Sequence, residues 1–225
     1  MANADPLYSE LLDALRTGGC PLCRLGQRAV GRYIETLNYE GVNDPGLRRA
    51  LQEAQGLCHR HAWQWTQLRG SPLGVAIVYR HLLNDLTATL EKQSQTRISP
   101  RRRRHDASTG LTPTGTCPAC TAENEAVVRY GQTLLARLAH PDLVAAYDAA
   151  GGLCLPHLRH TLALADETQA QTLLSWQTAI YRRLRAQLDE FIRKHDHRFR
   201  HEPFGAEKDA WTRAVAALIG EADNR

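Results

Sequence analysis

The sequence lacks the features that direct a chain into a membrane. Its 225 residues contain no apolar run approaching the roughly 20 residues that span a bilayer. Residues 1–6 carry neither a basic nor an apolar segment, so no secretory signal is predicted. We therefore expect a cytoplasmic protein without a membrane partner.

The common catalytic motifs are also missing. The chain has no P-loop, no GxGxxG, no nucleophile elbow and no HExxH, and its carboxylates form no evident acid–base pair. Its hydrophobic content of 43% and charged content of 23% are ordinary for a globular protein, and the net charge of +4 indicates no particular partner. These observations favour a binding protein over an enzyme.

Alternation of apolar and polar residues with the period of a strand is nearly absent, and helical spacing takes its place. Asp5-Pro6 and Asp44-Pro45 are typical helix starts, with a capping carboxylate before a proline. The sequence therefore predicts an all-α fold. The apolar stripe expected for the long helix of the first half consists of Leu73, Ile77, Leu83, Leu86 and Leu90. The four tryptophans are expected to pack in cores or between helices: Trp63, Trp65, Trp176 and Trp211.

All six cysteines lie in short motifs that occur once in each half of the chain. Each half has a C-x2-C motif beginning Cys-Pro, followed farther along by a C-x2-H motif after Gly-Leu. Three thiolates and one imidazole are the composition of a closed structural zinc site. The predicted ligands of two Zn²⁺ ions are Cys20, Cys23, Cys58 and His61 in one site, and Cys117, Cys120, Cys154 and His157 in the other.

Two alternatives accompany this assignment. His59 could replace His61 as the fourth ligand, although Leu155 stands at the matching place in the second half and favours His61. The same Cys₃His sets could instead hold an iron–sulfur cluster, which would make the protein a redox sensor or an iron–sulfur protein. Disulfides are disfavoured because paired C-x2-C and C-x2-H motifs suit metal in a reducing cytoplasm.

The repeated motifs predict an internal duplication. Tyr33 and Tyr130 follow their motifs at the same distance, and Val78-Tyr79-Arg80 resembles Ile180-Tyr181-Arg182. The sequence thus predicts two similar helical modules, 1–95 and 117–200, each with its own Cys₃His site. A basic flexible linker over 96–116 and a C-terminal helical extension over 201–225 complete the organisation.

Two basic segments are candidates for contact with an anion or a partner. They comprise Arg101, Arg102, Arg103 and Arg104 in the linker, and Arg193, Lys194, His195, His197, Arg198, Arg200 and His201 in the tail. They predict a protein partner or, as an alternative, a nucleic acid held through its phosphates. The tail histidines at positions 195, 197 and 201 could also form a third metal site.

Several of these motifs together resemble a known family. They are the Cys-Pro-x-Cys openings, the run from Asn43 to Arg48 that precedes Gly56-Leu57-Cys58, and the segment from Phe191 to Asp196. They are similar to a family of uncharacterised bacterial and archaeal proteins, catalogued as a domain of unknown function. The resemblance implies a cytosolic prokaryotic protein with duplicated Cys/His motifs, and it implies no activity.

Overall fold

The computed structural model describes residues 5–39, 44–95 and 110–222. Every regular element in these ranges is a helix, which confirms the all-α prediction. The helices in chain order are α1 (Pro6–Arg16), α2 (Pro21–Tyr39), α3 (Pro45–Glu53), α4 (His59–Thr66), α5 (Ser71–Gln95), α6 (Pro118–Ala136), α7 (Pro141–Ala150), α8 (Leu155–Leu162), α9 (Glu167–His195) and α10 (Ala210–Ile219).

Helices α1, α3 and α9 each begin at an aspartate whose side chain caps the helix. The Asp5 carboxylate accepts a hydrogen bond from the backbone N–H of Leu7 at 3.2 Å. Asp44 caps α3 in the same way, through the N–H of Leu47 at 2.8 Å. At α9, Asp166 and Gln169 form a reciprocal capping box. These bonds satisfy N–H groups that have no partner within a helix.

The described chain divides into two compact units that do not coincide with its two sequence halves. Unit 1 combines the described residues up to Arg28 with those from Asn124 onward, and unit 2 runs from Ala29 to Glu123. The boundaries between the units fall within α2 and within α6. The predicted modules 1–95 and 117–200 are defined by repeated motifs, and that division stays a prediction.

The core of unit 2 surrounds Trp65, which is fully buried and donates its indole N–H to the Asn38 side chain at 3.2 Å. The predicted apolar stripe of α5 does not coincide with the face that the helix buries. Leu73 is 72% exposed and Leu83 61% exposed. The residues that α5 does bury are Ser71, Gly74, Val78 and Leu82. The buried face thus includes two small residues and a leucine outside the predicted stripe, Leu82.

Unit 1 is built around α9. Its residues Leu173, Gln177 and Ile180 are buried, and α10 packs against both α9 and α8. Elsewhere in the unit α1 packs on α7, and the two tyrosines Tyr130 and Tyr147 are almost fully buried.

Two of the four tryptophans do not occupy the expected core. Trp65 is buried and Trp176 is half-buried, but Trp63 and Trp211 are 60% and 55% exposed. Trp211 shares its exposure with three other apolar residues of α10, namely Val215, Leu218 and Ile219. The helix therefore docks through its other face, on which Ala210 is buried.

Much of the predicted linker, including Arg101 to Arg104, lies outside the described residues. Its last part, 110–116, is held against the end of α3. The backbone N–H groups of Thr114 and Gly115 both donate to the carbonyl of Glu53, at 2.8 and 2.9 Å. Over the described ranges, the helices are too short or too polar for any of them to cross a bilayer.

Candidate metal centres

The eight predicted ligands form two four-residue groups, but the predicted pairing within each half is wrong. The structure brings Cys20 and Cys23 together with Cys154 and His157, and we name this group site one. Site two consists of Cys58, His61, Cys117 and Cys120. Each site thus combines the C-x2-C motif of one half with the C-x2-H motif of the other.

A matched pair of backbone contacts accounts for this crossed pairing. In unit 1 the N–H of Gly19 donates to the carbonyl of Ala150 at 2.9 Å, which fixes the start of the first C-x2-C motif beside the end of α7. In unit 2 the N–H of Gly115 donates to the carbonyl of Glu53 at the end of α3. Both short helices lead directly into a C-x2-H motif, so each contact places two motifs side by side.

Every ligand lies at the N-terminus of a helix. Cys154 is the N-cap of α8 and Cys58 that of α4, and neither side chain caps its helix with a hydrogen bond. Cys20 and Cys117 immediately precede α2 and α6. The second ligand of each motif follows three residues later, within the first turn. A helix start therefore presents two ligands on one side, and its N–H groups stabilise thiolate charge.

The ligand atoms of site one are closely spaced. Nδ1 of His157 lies 3.5, 3.3 and 3.2 Å from the sulfurs of Cys20, Cys23 and Cys154. The Cys23 and Cys154 sulfurs are 3.7 Å apart. All three cysteines are buried.

Site two has the same geometry with more exposed sulfurs. Nδ1 of His61 lies 3.4, 3.6 and 3.4 Å from the sulfurs of Cys58, Cys117 and Cys120. The Cys58 and Cys120 sulfurs are 3.6 Å apart. The three cysteines are half-buried, whereas the His61 side chain is fully buried. His59, by contrast, is exposed beside Trp63 and takes no part in the group, as the comparison with Leu155 favoured.

The electrostatics of both groups favour a cation at the centre. Burial lowers the pKa of His157, but hydrogen bonds that the protonated ring donates to the sulfurs of Cys154, Cys20 and Cys23 outweigh it and raise that pKa to about 12. In site two, burial and the neighbouring sulfurs of Cys58 and Cys117 raise the pKa of Cys120 to about 12. The groups therefore retain protons that a metal ion could replace. Either group could hold a metal ion.

Site one has a buried polar support that the motif search missed. The Gln177 side chain accepts from the N–H of Leu153 at 3.1 Å and donates to the carbonyl of the same residue at 3.1 Å. It also accepts from the Tyr147 hydroxyl at 2.6 Å. Because Leu153 directly precedes Cys154, these bonds fix the backbone that presents a ligand.

The C-terminal extension closes over site one. The N–H of Glu221 donates to the Cys23 sulfur at 3.4 Å, and its carboxylate accepts from the N–H of Cys20 at 3.0 Å. A side chain at Gly220 would touch the Cys23 sulfur at 3.5 Å, so the tail backbone lies directly against the site. In site two, the Arg60–Glu123 ion pair lies beside the His61 ring, with Glu123 3.7 Å from Nε2.

The tail cations that were candidates for partner contact are largely engaged in ion pairs. Arg193 pairs with Glu190 and Glu202, and Lys194 with Glu207. The other tail contacts are Arg198 with Asp196, His197 with Asp196, and His195 with the rings of Phe191 and Phe204. Within the described residues, the three tail histidines do not assemble into a group that could hold a metal. A partner role for the tail, and nucleic-acid binding, stay predictions.

We expect Glu207→Gln to destabilise the protein at neutral pH. The backbone N–H of Gly205 and the Lys194 ammonium, at 2.8 and 2.7 Å, lower the pKa of Glu207 to about 2 from an ordinary 4.5. Because the folded-state pKa is depressed, the stabilisation is present above about pH 4.5 and is lost as the pH falls toward 2.

Thermal melting of the wild type and the variant from pH 7 to pH 3 tests this expectation. The melting temperatures should differ at pH 7, and the difference should narrow below about pH 4.5, over the part of the range in which both proteins keep their zinc and melt cooperatively. Glu125→Gln, at an exposed residue of α6, is the control. A difference between wild type and Glu207→Gln that does not change with pH would contradict the account.

Comparison with known proteins places the chain in a family. The sequence profile of a family of unknown function matches residues 10–225. The chain belongs to DUF6062. The resemblance to an uncharacterised family is thereby confirmed, and DUF6062 membership brings no activity with it. The chain is also similar to an uncharacterised 23.9 kDa protein in the xynA 3' region of Caldicellulosiruptor sp. (strain Rt8B.4), with 24% identity over 213 residues that cover 93% of this chain and 99% of that protein. No solved structure matches the chain.

Proposed function

We propose that the protein is a cytoplasmic helical binding protein stabilised by two structural Zn²⁺ ions, one in each Cys₃His site. The observation that carries this proposal is the spacing of the ligand atoms, which lie within 4.8 Å of one another in each group. Each site draws its four ligands from two helix starts that are distant in sequence, so an ion would link parts of the chain that only the fold brings together.

The distances fit a tetrahedron around one ion. Zinc bonds of about 2.3 Å to sulfur and about 2.0–2.1 Å to nitrogen give edges of about 3.8 Å between sulfurs and about 3.5 Å between sulfur and nitrogen. One sulfur–sulfur edge in each site is 3.7 Å or 3.6 Å, the sulfur–nitrogen edges are 3.2 to 3.6 Å, and all the ligand atoms of a site lie within 4.8 Å of one another. An iron–sulfur cluster places its ligands on different iron atoms and needs wider spacing, so the geometry favours a single ion.

Four protein ligands complete the coordination shell of zinc and leave no position for a substrate. Catalytic zinc sites keep such a position open, usually for water. The composition therefore supports a structural role. Three thiolates and one Zn²⁺ carry a net charge of about −1 per site, and the surrounding helix N-termini offset part of that charge.

An exposed apolar stripe on α10 supports the binding role. Trp211, Val215, Leu218 and Ile219 recur at helical spacing on one face, and each is more than half exposed. A row of large apolar side chains on one helix is typical of a surface that enters an apolar groove of another protein. Because α10 also leads into the tail that closes over site one, zinc binding there would fix the orientation of this stripe.

We expect Leu218→Glu combined with Ile219→Glu to abolish capture of the protein partner. A charge on the stripe would have to be buried without a counter-ion, which costs several kcal/mol. Photo-crosslinking from position 215 in cells, followed by mass spectrometry, identifies the partner, and a binding titration with the purified partner measures the loss. Leu174→Glu, at an exposed leucine of α9, is the control.

Binding of the purified partner that is equally tight in the double variant would contradict the proposal. Crosslinks exclusively to a second copy of this chain would also contradict it, since the stripe would then be a self-association surface. Both variants should retain the zinc content of the wild type, because the substituted side chains are exposed.

A further inference from the structure

Unit 1 contains a cavity that lies beside site one. Its volume is about 690 Å³, within the range of small-molecule sites. The cavity is lined by residues around site one, including Cys20 and Cys154, and by residues of α9 and α10. The cavity is therefore adjacent to a candidate metal site without being part of its coordination shell.

Two double-glycine turns contribute to the lining of the cavity. Gly18 and Gly19 lead into α2, and Gly151 and Gly152 follow α7, all with positive φ angles that favour glycine. A β-carbon at Gly18 or at Gly151 would meet nothing within 4 Å. At Gly19 and Gly152 the corresponding space is filled by the side chains of Glu221 and Gln177, so a ligand could approach the backbone closely only at Gly18 and Gly151.

Three arginines line the cavity, and they differ in their partners. Arg183 is paired with Asp148 at 2.5 Å, and Arg213 with Asp209 at 2.9 Å. Arg24 has no carboxylate partner among the described residues. Its terminal nitrogen donates to the carbonyl of Gly18 at 2.8 Å, and its Nε is buried with no hydrogen-bond partner.

The Nε atom of Arg24 is inaccessible, so a ligand in the cavity would be bound by the terminal nitrogens of the guanidinium. The bond from Arg24 to Gly18 holds the guanidinium at the cavity wall, so its remaining donors are oriented before a ligand arrives. The nearby α2 N-terminus already accommodates one carboxylate, that of Glu221 on the N–H of Cys20.

We propose that this cavity binds a small oxyanion, a carboxylate- or phosphate-bearing molecule, through Arg24. Guanidinium groups bind carboxylates and phosphates through two parallel hydrogen bonds, and the planar fork favours oxyanions over other anions. Arg183 and Arg213 also line the cavity, but each is paired with a carboxylate, and Glu221 adds a further carboxylate to the lining, so the charge offered to an oxyanion is chiefly that of Arg24. This ligand site is separate from the α10 stripe and does not depend on a protein partner.

Isothermal titration of the zinc-loaded full chain in a buffer without phosphate tests the proposal. Inorganic phosphate and succinate, titrated separately, are the two probes, and they distinguish a phosphate from a carboxylate ligand. We expect at least one to bind with a Kd of about 1 mM or tighter. Arg24→Met should weaken that binding roughly 10- to 100-fold, because a charge-assisted hydrogen bond is lost.

Arg28→Met is the matched control. Arg28 lies one turn farther along α2, is exposed, and does not line the cavity, so its substitution should leave binding within about twofold. Arg24→Lys keeps the charge and loses the fork, and it should bind between the wild type and Arg24→Met. Zinc content and circular dichroism verify that each variant is folded.

The proposal is overturned if neither probe binds below about 10 mM. It is also overturned if folded Arg24→Met binds as tightly as the wild type, since the oxyanion would then be held elsewhere, or if Arg24→Lys does so, since the guanidinium fork would then have no part in the binding. Equal weakening by Arg28→Met and Arg24→Met would show that the anion is attracted by the overall positive charge and not by a specific site, and it would likewise reject the proposal.

Discussion

Removal of both zinc ions by a strong chelator should unfold the protein at room temperature. Structural zinc sites contribute an apparent free energy of about 10–16 kcal/mol each at neutral pH in small zinc domains. A globular domain retains only about 5–15 kcal/mol of net stability, so the loss of even one ion exceeds the margin available to most domains. Each unit also has a hydrophobic core, and the chelated chain should keep residual helix without a cooperative melting transition.

Circular dichroism and thermal melting with and without chelator measure this effect, with metal content determined in parallel. Addition of about two equivalents of Zn²⁺ to the chelated protein should restore both signals. If the protein with no bound metal melts at the same temperature as the zinc-loaded form, then the sites do not stabilise the fold and the structural assignment fails.

The second large effect is expected from Gln177→Leu. Gln177 is 2% exposed, and its amide bonds both backbone groups of Leu153 as well as the Tyr147 hydroxyl. A leucine of similar size would remove all three bonds, and the Leu153 backbone would keep only longer contacts with the Tyr147 and Tyr181 hydroxyls, at 3.3 and 3.5 Å. At about 1–3 kcal/mol for a buried polar group that loses its partner, the free energy of unfolding should fall by about 2 kcal/mol or more.

The variant should also release one of its two zinc ions more readily. Leu153 directly precedes Cys154, so loss of the Gln177 bonds should hold Cys154 less firmly in place. Zinc binding at site one should therefore weaken, and zinc binding at site two should not change. Stepwise transfer of zinc to a chromophoric chelator measures both ions. Gln171→Leu, at an exposed position of α9, is the control and should behave as the wild type. Equal loss from both sites would mean that Gln177 supports the fold generally and does not position site one.

The helices and ligands could be predicted from sequence because the signals are local. A carboxylate before a proline determines where α1 and α3 begin, since capping involves only neighbouring residues. The eight ligands were likewise visible as short motifs with metal-binding chemistry. Their distribution between two sites was not, because each half contains a complete Cys₃His set and the sequence gives no preference between partners with identical ligands.

The parts that could not be predicted depend on contacts between distant segments. The crossed pairing depends on bonds from Gly19 to Ala150 and from Gly115 to Glu53, which involve backbone atoms and leave no side-chain signature. The buried face of α5 includes Ser71 and Gly74, which no hydrophobic pattern would select. The exposure of Trp211 follows from which face of α10 packs on its neighbours, and both faces carry apolar residues.

Two double variants test the crossed pairing, which is the central feature of this molecule. Cys23→Ser with Cys154→Ser removes two ligands from site one and leaves site two complete. Cys23→Ser with Cys58→Ser instead removes one ligand from each site. The measurement is the zinc that each purified variant retains against a competing chelator that does not strip the wild type.

The structure predicts one tightly held zinc in Cys23→Ser with Cys154→Ser, and none in Cys23→Ser with Cys58→Ser. If each sequence half formed its own site, the two results would be exchanged, because Cys23 and Cys58 would then belong to one site. That exchanged result would contradict the pairing of site one and site two described above.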